Sequence, residues 1–526
     1  MVLPQGVNEA FRELQAGRPD RALTLARAAA QSHPQSARAR LAEGIALRML
    51  TRLEEASRAL ARAAELDAQD HAIAYETGVV HQLRGQMDGA LAQFERAGEL
   101  NPAFFAAHFS AGSLRLDRRE WDIAAERFRA AVSLQPGQGD ALRLYARALV
   151  GSGRHEEAEQ VFVHALARDP HDFNTLRTFG QYAASRGNFK RAGKLFAEAL
   201  RARPGDDALP IFIAQVELLQ GHWHAAWDAY RQREPRRALE RSIAQRGGSY
   251  ALPAPAQLAG REVCLIAEQG YGDILFFLRW APLAIEAGAT LRFLGQRGIL
   301  PLASRSGLFE SVHEFGDPEA PGRALPLLIG DLPATFAARD PLSMMSLRIA
   351  PRPERLTHWR HLLGQAGPRP WVGVTWRAGL GPDTQPHGLY KAIPSDLLLT
   401  RLGPHAGTVV ALQRAPMPGE IEAASHLLDR PLHDFSRMND DLEDAIALVA
   451  LLDRHVGVSN TNMHLAAAAG ATADVLVPFP PEWRWRLEGD SPWFPGFRVH
   501  RQTIDGDWGP ALATLVSAPA GNRFPA

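Results

Sequence analysis

The sequence predicts an all-α solenoid of stacked helix pairs followed by an α/β half built on two parallel sheets. Three observations carry this reading. A 34-residue period runs through the first 236 positions, a Pro, Ala and Gly break follows it, and short apolar runs then alternate with helical ones. At 526 residues the chain is too long for one hydrophobic core, and its size corresponds to about three or four domains.

The period is read from residues that return in phase. Pro34, Pro102, Pro136, Pro170 and Pro204 share it, as do Ala22, Ala56, Ala90, Ala124, Ala158, Ala192 and Ala226. Gly44, Gly78, Gly112 and Gly180 form a third series, and Phe94, Phe128, Phe162 and Phe196 a fourth. Each unit reads as two amphipathic helices: small residues let the pair approach, Phe fills the seam, and Pro opens the next turn. One such unit cannot bury its own apolar face, so the units must stack, giving an extended surface suited to a partner's segment.

The beat stops after "RQREPRRALERSIAQRGG", and residues 237–260 contain the linker "SYALPAPAQLAG". Strands are predicted at "EVCLIAE", "ATLRFLGQ", "WVGVTW", "GTVVALQ", "HVGVS" and "ADVLVPF", with helices at "ILFFLRWAPLAIEAG" and "DDLEDAIALVALL". This alternation predicts parallel sheets covered on both faces, divided into domains 261–367 and 368–526. Ligands of paired sheets of this kind bind beyond the carboxyl ends of the strands, so the loops there are the places to search.

Three loops stand out. "AEQGYGD" offers Gly270 and Gly272 for tight turning and close approach, and places Asp273 at a helix start, as an N-cap or as a general base. Glu268, at the strand's end, is a second candidate base. The loop lacks GxGxxG, which argues against a dinucleotide site. In "RAGLGPDTQPHGLYKAIP", Arg377 and Lys391 either suit a diphosphate or are surface charges. In "SNTNMHLAAAAG", one helix start carries Ser459, Asn460, Thr461 and Asn462, more polar side chains than a cap needs. With free amides they could cradle an anion. His464, on the first turn, either reaches a phosphate or sugar or is structural. Farther on, Trp483, Trp485, Trp493, Phe494 and Phe497 crowd among Glu482, Arg484 and Arg486, to stack on a base or sugar or, the favoured reading, to pack as a closing segment.

Balanced charge, with 58 basic and 58 acidic residues, gives no bulk attraction for nucleic acid or anionic lipid. The single Cys264 excludes an internal disulfide and fits a reducing compartment, so a cytoplasmic location is expected. No signal segment or membrane span is predicted. The "DGD" at Asp505 to Asp507 reads as a solvated turn, and no metal site is expected.

The repeats, over about residues 3 to 236, resemble the tetratricopeptide repeat. "EQGYGDILFFLRWAPLAIEAGA", "SNTNMHLAAAAG" and "PPEWRWRLEGDSPWFPGFRVHRQ" resemble the catalytic half of bacterial proteins that join such repeats to a heptosyltransferase-like glycosyltransferase of the GT-B fold, with two facing doubly wound Rossmann-like domains. In layout the chain is similar to O-linked N-acetylglucosamine transferase and to bacterial flagellin glycosyltransferases. The resemblance implies transfer of a sugar from a nucleotide-sugar donor, without metal or other cofactor, to Ser or Thr of a protein acceptor, such as flagellin, held by the repeats. It makes Asp273 the base, and Ser459 stands where the group has Asp. It also puts Tyr75, Phe109, Arg143, Arg147 and Arg177 on the acceptor-binding side of the repeats, an aromatic end and a basic end, with ordinary solvated helix faces as the alternative reading. A degenerate half that only binds, and a transferase acting on a saccharide or lipid, are the alternatives.

Overall fold

The structure is a computed structural model and describes residues 5–317, 322–379, 391–402, 407–428 and 430–517. Packing divides the chain into two compact units, residues 1–182 and 183–526. In the first, helices pair at the expected spacing: Ala37–Met49 with Leu53–Leu66, His71–Leu83 with Met87–Leu100, Phe105–Asp117 with Trp121–Leu134, and Gly139–Gly151 with His155–Arg168. Small residues set the distance within a pair. A Cβ added to Gly78 would lie 2.7 Å from the Phe94 ring, closer than carbon atoms can pack. All seven in-phase alanines are fully buried, from Ala22 to Ala226, so the last two keep the same role within the second unit.

The second unit opens with helices Phe189–Ala202, Leu209–Gln220, Trp223–Tyr230 and Glu234–Gln245. The expected boundary after residue 236 therefore falls inside a packed unit. The reason is both apolar and ionic. Leu218, Trp227 and Tyr230 share one buried cluster with Val263, Leu265, Phe277, Trp280 and Trp483. Arg233, fully buried, forms a two-pronged pair with Glu268, and both Arg233 and Arg236 bind Asp331, at 2.7 and 2.9 Å.

Two wholly parallel sheets follow. The first has strands β1 (Glu262–Ile266), β2 (Thr290–Gly295), β3 (Ser311–Glu314) and β4 (Leu325–Leu328) in the order β3-β2-β1-β4. The second has β5 (Trp371–Thr375), β6 (Thr408–Ala411), β7 (Leu432–Asp434), β8 (Arg454–Val458), β9 (Asp474–Val477) and β10 (Arg498–Arg501) in the order β10-β9-β8-β5-β6-β7. Its central strands β5, β6, β8 and β9 are buried along their whole length, so β5 and β6 are almost wholly apolar, while β8 and β9 open on the buried polar residues Arg454, His455 and Asp474. In both sheets the chain's direction of progress reverses beside the first strand, at β1/β4 and at β5/β8, and a crevice opens at such a reversal. The long helix expected after β1 is broken into Tyr271–Phe277, a 3₁₀ turn at Leu278–Trp280, and Ala281–Glu286, with Pro282 in the first turn of the last piece.

Candidate functional site

The loop after β1 turns at Gln269, whose φ of 68° puts a non-glycine residue in the left-handed region. Gly270, expected to make that turn, caps the next helix with an ordinary φ of −82°. Gly272 is needed for contact: a Cβ there would lie 3.0 Å from His464 Cδ2 and 3.5 Å from Thr461 Cα. Its missing side chain lets the helix after β1 meet the helix after β8, so two of the three singled-out loops come together.

Asp273 is the third residue of helix Tyr271–Phe277 and is not its cap. Its side chain is 32% exposed, and Oδ1 accepts a hydrogen bond from Arg484 Nη2 at 2.6 Å. It faces a cavity of about 510 Å³. One wall is apolar and comes from the last repeat pair, with Ile211, Phe212, Leu218, Trp227 and Tyr230. The opposite corner is polar and holds Asp273, Lys391, Glu482 and Arg484.

Glu482 is the hub of that corner. Its carboxylate accepts from Lys391 Nζ, from Ser459 Oγ at 2.9 Å and from Arg484 Nη1. Burial alone would raise its pKa, but the Lys391 and Arg484 charges outweigh burial and hold it well below the usual carboxylate range. His464 is buried edge-on to Phe494 at 5.2 Å. Burial first, then the nearby Arg484 charge, pushes its pKa well down, so the ring is neutral at pH 7.

Two predicted residues are elsewhere engaged. Glu268 is 3% exposed, and both oxygens are taken, by Arg233 and by the Gly330 N–H at 2.9 Å. It anchors the chain and cannot meet a substrate proton. Arg377 is 4% exposed and spends its guanidinium on Glu420 at 2.7 Å and on the Gly379 and Ala415 carbonyls. It shapes its loop, and of the two predicted cations it is Lys391 that faces the cavity; residues 380–390 of that loop lie outside the described residues.

The polar quartet after β8 is also partly spent. Asn460 caps the helix by accepting from Asn462 N at 3.0 Å and donates to Thr375 Oγ1 at 3.2 Å. Asn462 is buried and donates to Asn439 at 3.3 Å. Thr461, half-buried, begins the helix. Of the four, Ser459 alone reaches the Glu482 hub. The expected cradle of four side chains is thus reduced to one hydroxyl, because a buried turn must satisfy its own amides first.

Glu482 and Arg484 went unassigned in the sequence although both were visible there. The available signal was two opposite charges alternating with tryptophans, in a stretch too aromatic to be an ordinary surface. Trp485 and Trp493 are fully buried and Trp483, Phe494 and Phe497 nearly so, so the segment packs into the core, with Trp483 also lining the cavity. Among the described residues no group of three or more His, Cys, Asp or Glu could hold a metal ion, and Asp507 caps a helix through Gly509 N at 2.8 Å.

In the first unit, the aromatic end is turned into its own helices. Tyr75 packs on Phe94 and Phe104, with centroids 5.4 and 5.1 Å away, and Phe109 on Phe105 and Phe128. At the basic end Arg143 pairs with Asp140 at 2.7 Å, and Arg177 lies over the Phe173 ring. Arg147 is exposed, and its pKa is lowered by partial burial first and then by the charges of Arg143 and Arg177. These three arginines form a shared basic patch.

Fold and spacing define the class of the repeats: they are tetratricopeptide repeats, a class that serves as a scaffold for binding protein partners. Residues 8–71, 41–103 and 109–173 match the tetratricopeptide repeat family. Protein FlbA of Caulobacter vibrioides is 26% identical over 345 residues, which cover 60% of this chain and 55% of FlbA. The chain thus spans about half the length of that relative. Among solved structures, YrrB, a TPR protein with an unusual peptide-binding site, is 20% identical, covering 35% of this chain and 95% of YrrB, with a TM-score of 0.33. PilF of Pseudomonas aeruginosa is 18% identical, covering 38% and 91%, with a TM-score of 0.34. Among the described residues no helix is long and apolar enough to cross a membrane.

Proposed function

We propose that this chain is a metal-independent glycosyltransferase of the GT-B type that moves a sugar from a nucleotide-sugar donor to a Ser or Thr of a protein acceptor. One observation carries the reading. The one-third-exposed Asp273 carboxylate and the Lys391 ammonium share a cavity with an apolar wall donated by the last repeat pair. The last repeat pair and a candidate base then border one space, at the carboxyl ends of strands where activated donors bind in α/β sheets. Asp273 takes the acceptor hydroxyl's proton as its oxygen attacks the anomeric carbon, while cationic and hydroxyl donors stabilise the charge that develops on the departing phosphate. The apolar wall and Trp483 exclude water from the reacting centre.

Intact-mass measurement of candidate acceptors co-expressed with the chain, flagellin first on the strength of the resemblance, tests this. A sugar-sized mass increment is expected with wild type and is lost with Asp273→Asn, which should still bind nucleotide. The second reading is a binding scaffold, favoured by the mutual neutralisation of Asp273, Arg484, Glu482 and Lys391. Nucleotide binding with neither transfer nor donor hydrolysis would establish it and sink the first.

A further inference from the structure

Four charges meet in the polar corner of the cavity, two of each sign: Asp273 and Glu482, Lys391 and Arg484. Asp273 and Arg484 pair at 2.6 Å. Glu482 is held differently. Its carboxylate receives three donors from three stretches of chain: the ammonium of Lys391 ahead of the helix Ser395–Leu402, the hydroxyl of Ser459 after β8, and Nη1 of Arg484 from the aromatic segment. Cationic and hydroxyl donors converging from separate segments on one point of a cavity wall are how proteins recognise an oxyanion. Here the oxyanion they hold is the chain's own side chain.

The charge count points the same way. With Glu482 in place the corner sums to zero and has no positive charge to spare for an incoming anion. With that carboxylate turned aside, the sum becomes positive and three donors aim at one location. We propose that Lys391, Ser459 and Arg484 form a binding site for an anionic group, and that Glu482 competes for it from within the chain, an internal occupant that the anion displaces. The inference rests on the proposed transfer reaction only in identifying the anion as part of an activated donor. That group is either a phosphoryl group or a carboxylate carried on the sugar.

Titration calorimetry of the full chain with inorganic pyrophosphate and, separately, with glucuronate tests the site, using wild type, Glu482→Gln, Lys391→Met and the double variant. Glu482→Gln should tighten binding of one probe about tenfold or more, and adding Lys391→Met should cancel the gain. A gain for pyrophosphate identifies a phosphoryl site, and a gain for glucuronate a sugar-carboxylate site. Unchanged or weaker affinity for both probes in a folded Glu482→Gln chain overturns the proposal, as does no measurable binding by any folded variant. If Glu482→Gln does not fold, Ser459→Ala replaces it: removing that donor must weaken probe binding about threefold or more, and unaltered binding overturns the idea. Acceptor mass reads transfer independently, so loss of either result leaves the other standing.

Discussion

Glu268 and Asp273 lie close together in the sequence, and the structure gives them opposite tasks that one pair of substitutions separates. Glu268→Gln keeps the shape of the side chain and removes its charge. Arg233, fully buried, then loses its two-pronged partner and retains Asp331 as its one carboxylate, which it shares with Arg236. Breaking a buried pair from one side costs about 3–5 kcal/mol, because a desolvated cation is left under-compensated. For a unit of this size the melting transition should fall by about 4–7 °C. Asp273→Asn breaks a pair whose carboxylate is one-third exposed. Solvent screening limits its cost to about 1 kcal/mol or less, while loss of a general base lowers turnover about 10²- to 10⁴-fold. Thermal unfolding followed by tryptophan fluorescence reports on the correct unit, since Trp223, Trp227, Trp280, Trp483, Trp485 and Trp493 all lie in it. Adding Arg233→Met to Glu268→Gln should recover part of the lost stability, as the stranded cation goes with its partner. If Glu268→Gln melted with wild type yet lost turnover, the anchoring role would be wrong and Glu268 would regain its candidacy as base.

Two further substitutions test the packing. His455 on β8 is buried with neither ring nitrogen hydrogen-bonded, and burial pushes its pKa from 6.5 to about 4 despite the Asp474 charge. Because the unfolded chain takes up the proton more readily, this stability is complete above pH 6.5 and declines as pH falls towards 4, by about 3 kcal/mol in all. Urea unfolding at stepped pH should show that decline in wild type and a flatter profile in His455→Leu. An equal slope in both would refute it. Gly78→Ala should destabilise by about 1–3 kcal/mol through its clash with Phe94, whereas Gly139→Ala, whose Cβ would meet nothing within 4 Å, should be neutral or slightly stabilising in the same denaturation assay.

The repeats were legible because their information is local and recurs: an alanine, a glycine or a phenylalanine in phase says the same thing each time. Central strands were legible for a related reason, since β5 and β6 are buried throughout and read as nearly continuous apolar runs. Edge strands were not. β10 reads Arg-Val-His-Arg and β4 contains Pro326, and neither pattern resembles a strand until its neighbour supplies the pairing. The site was half visible. Asp273 and Lys391 sit in loops that sequence position alone identifies, but what neutralises them comes from Arg484 and Glu482, far along the chain. Arg377 and Glu268 misled for the converse reason, because a charge at a strand's end looks the same whether a cavity or a buried counter-ion receives it.

Recombination can trade repeats freely only upstream of the point where packing changes hands. The Pro, Ala and Gly stretch before β1 looks like the natural seam, yet a cut there would strip Trp227, Tyr230 and Arg233 from the core they complete. The tolerant joint lies near residue 182, within the helix Phe173–Ser185, where one compact unit gives way to the next. Upstream of it, each 34-residue module repeats the same internal packing, so its gain or loss leaves the α/β core untouched. The last pair must be inherited together with the α/β half, whose core it completes.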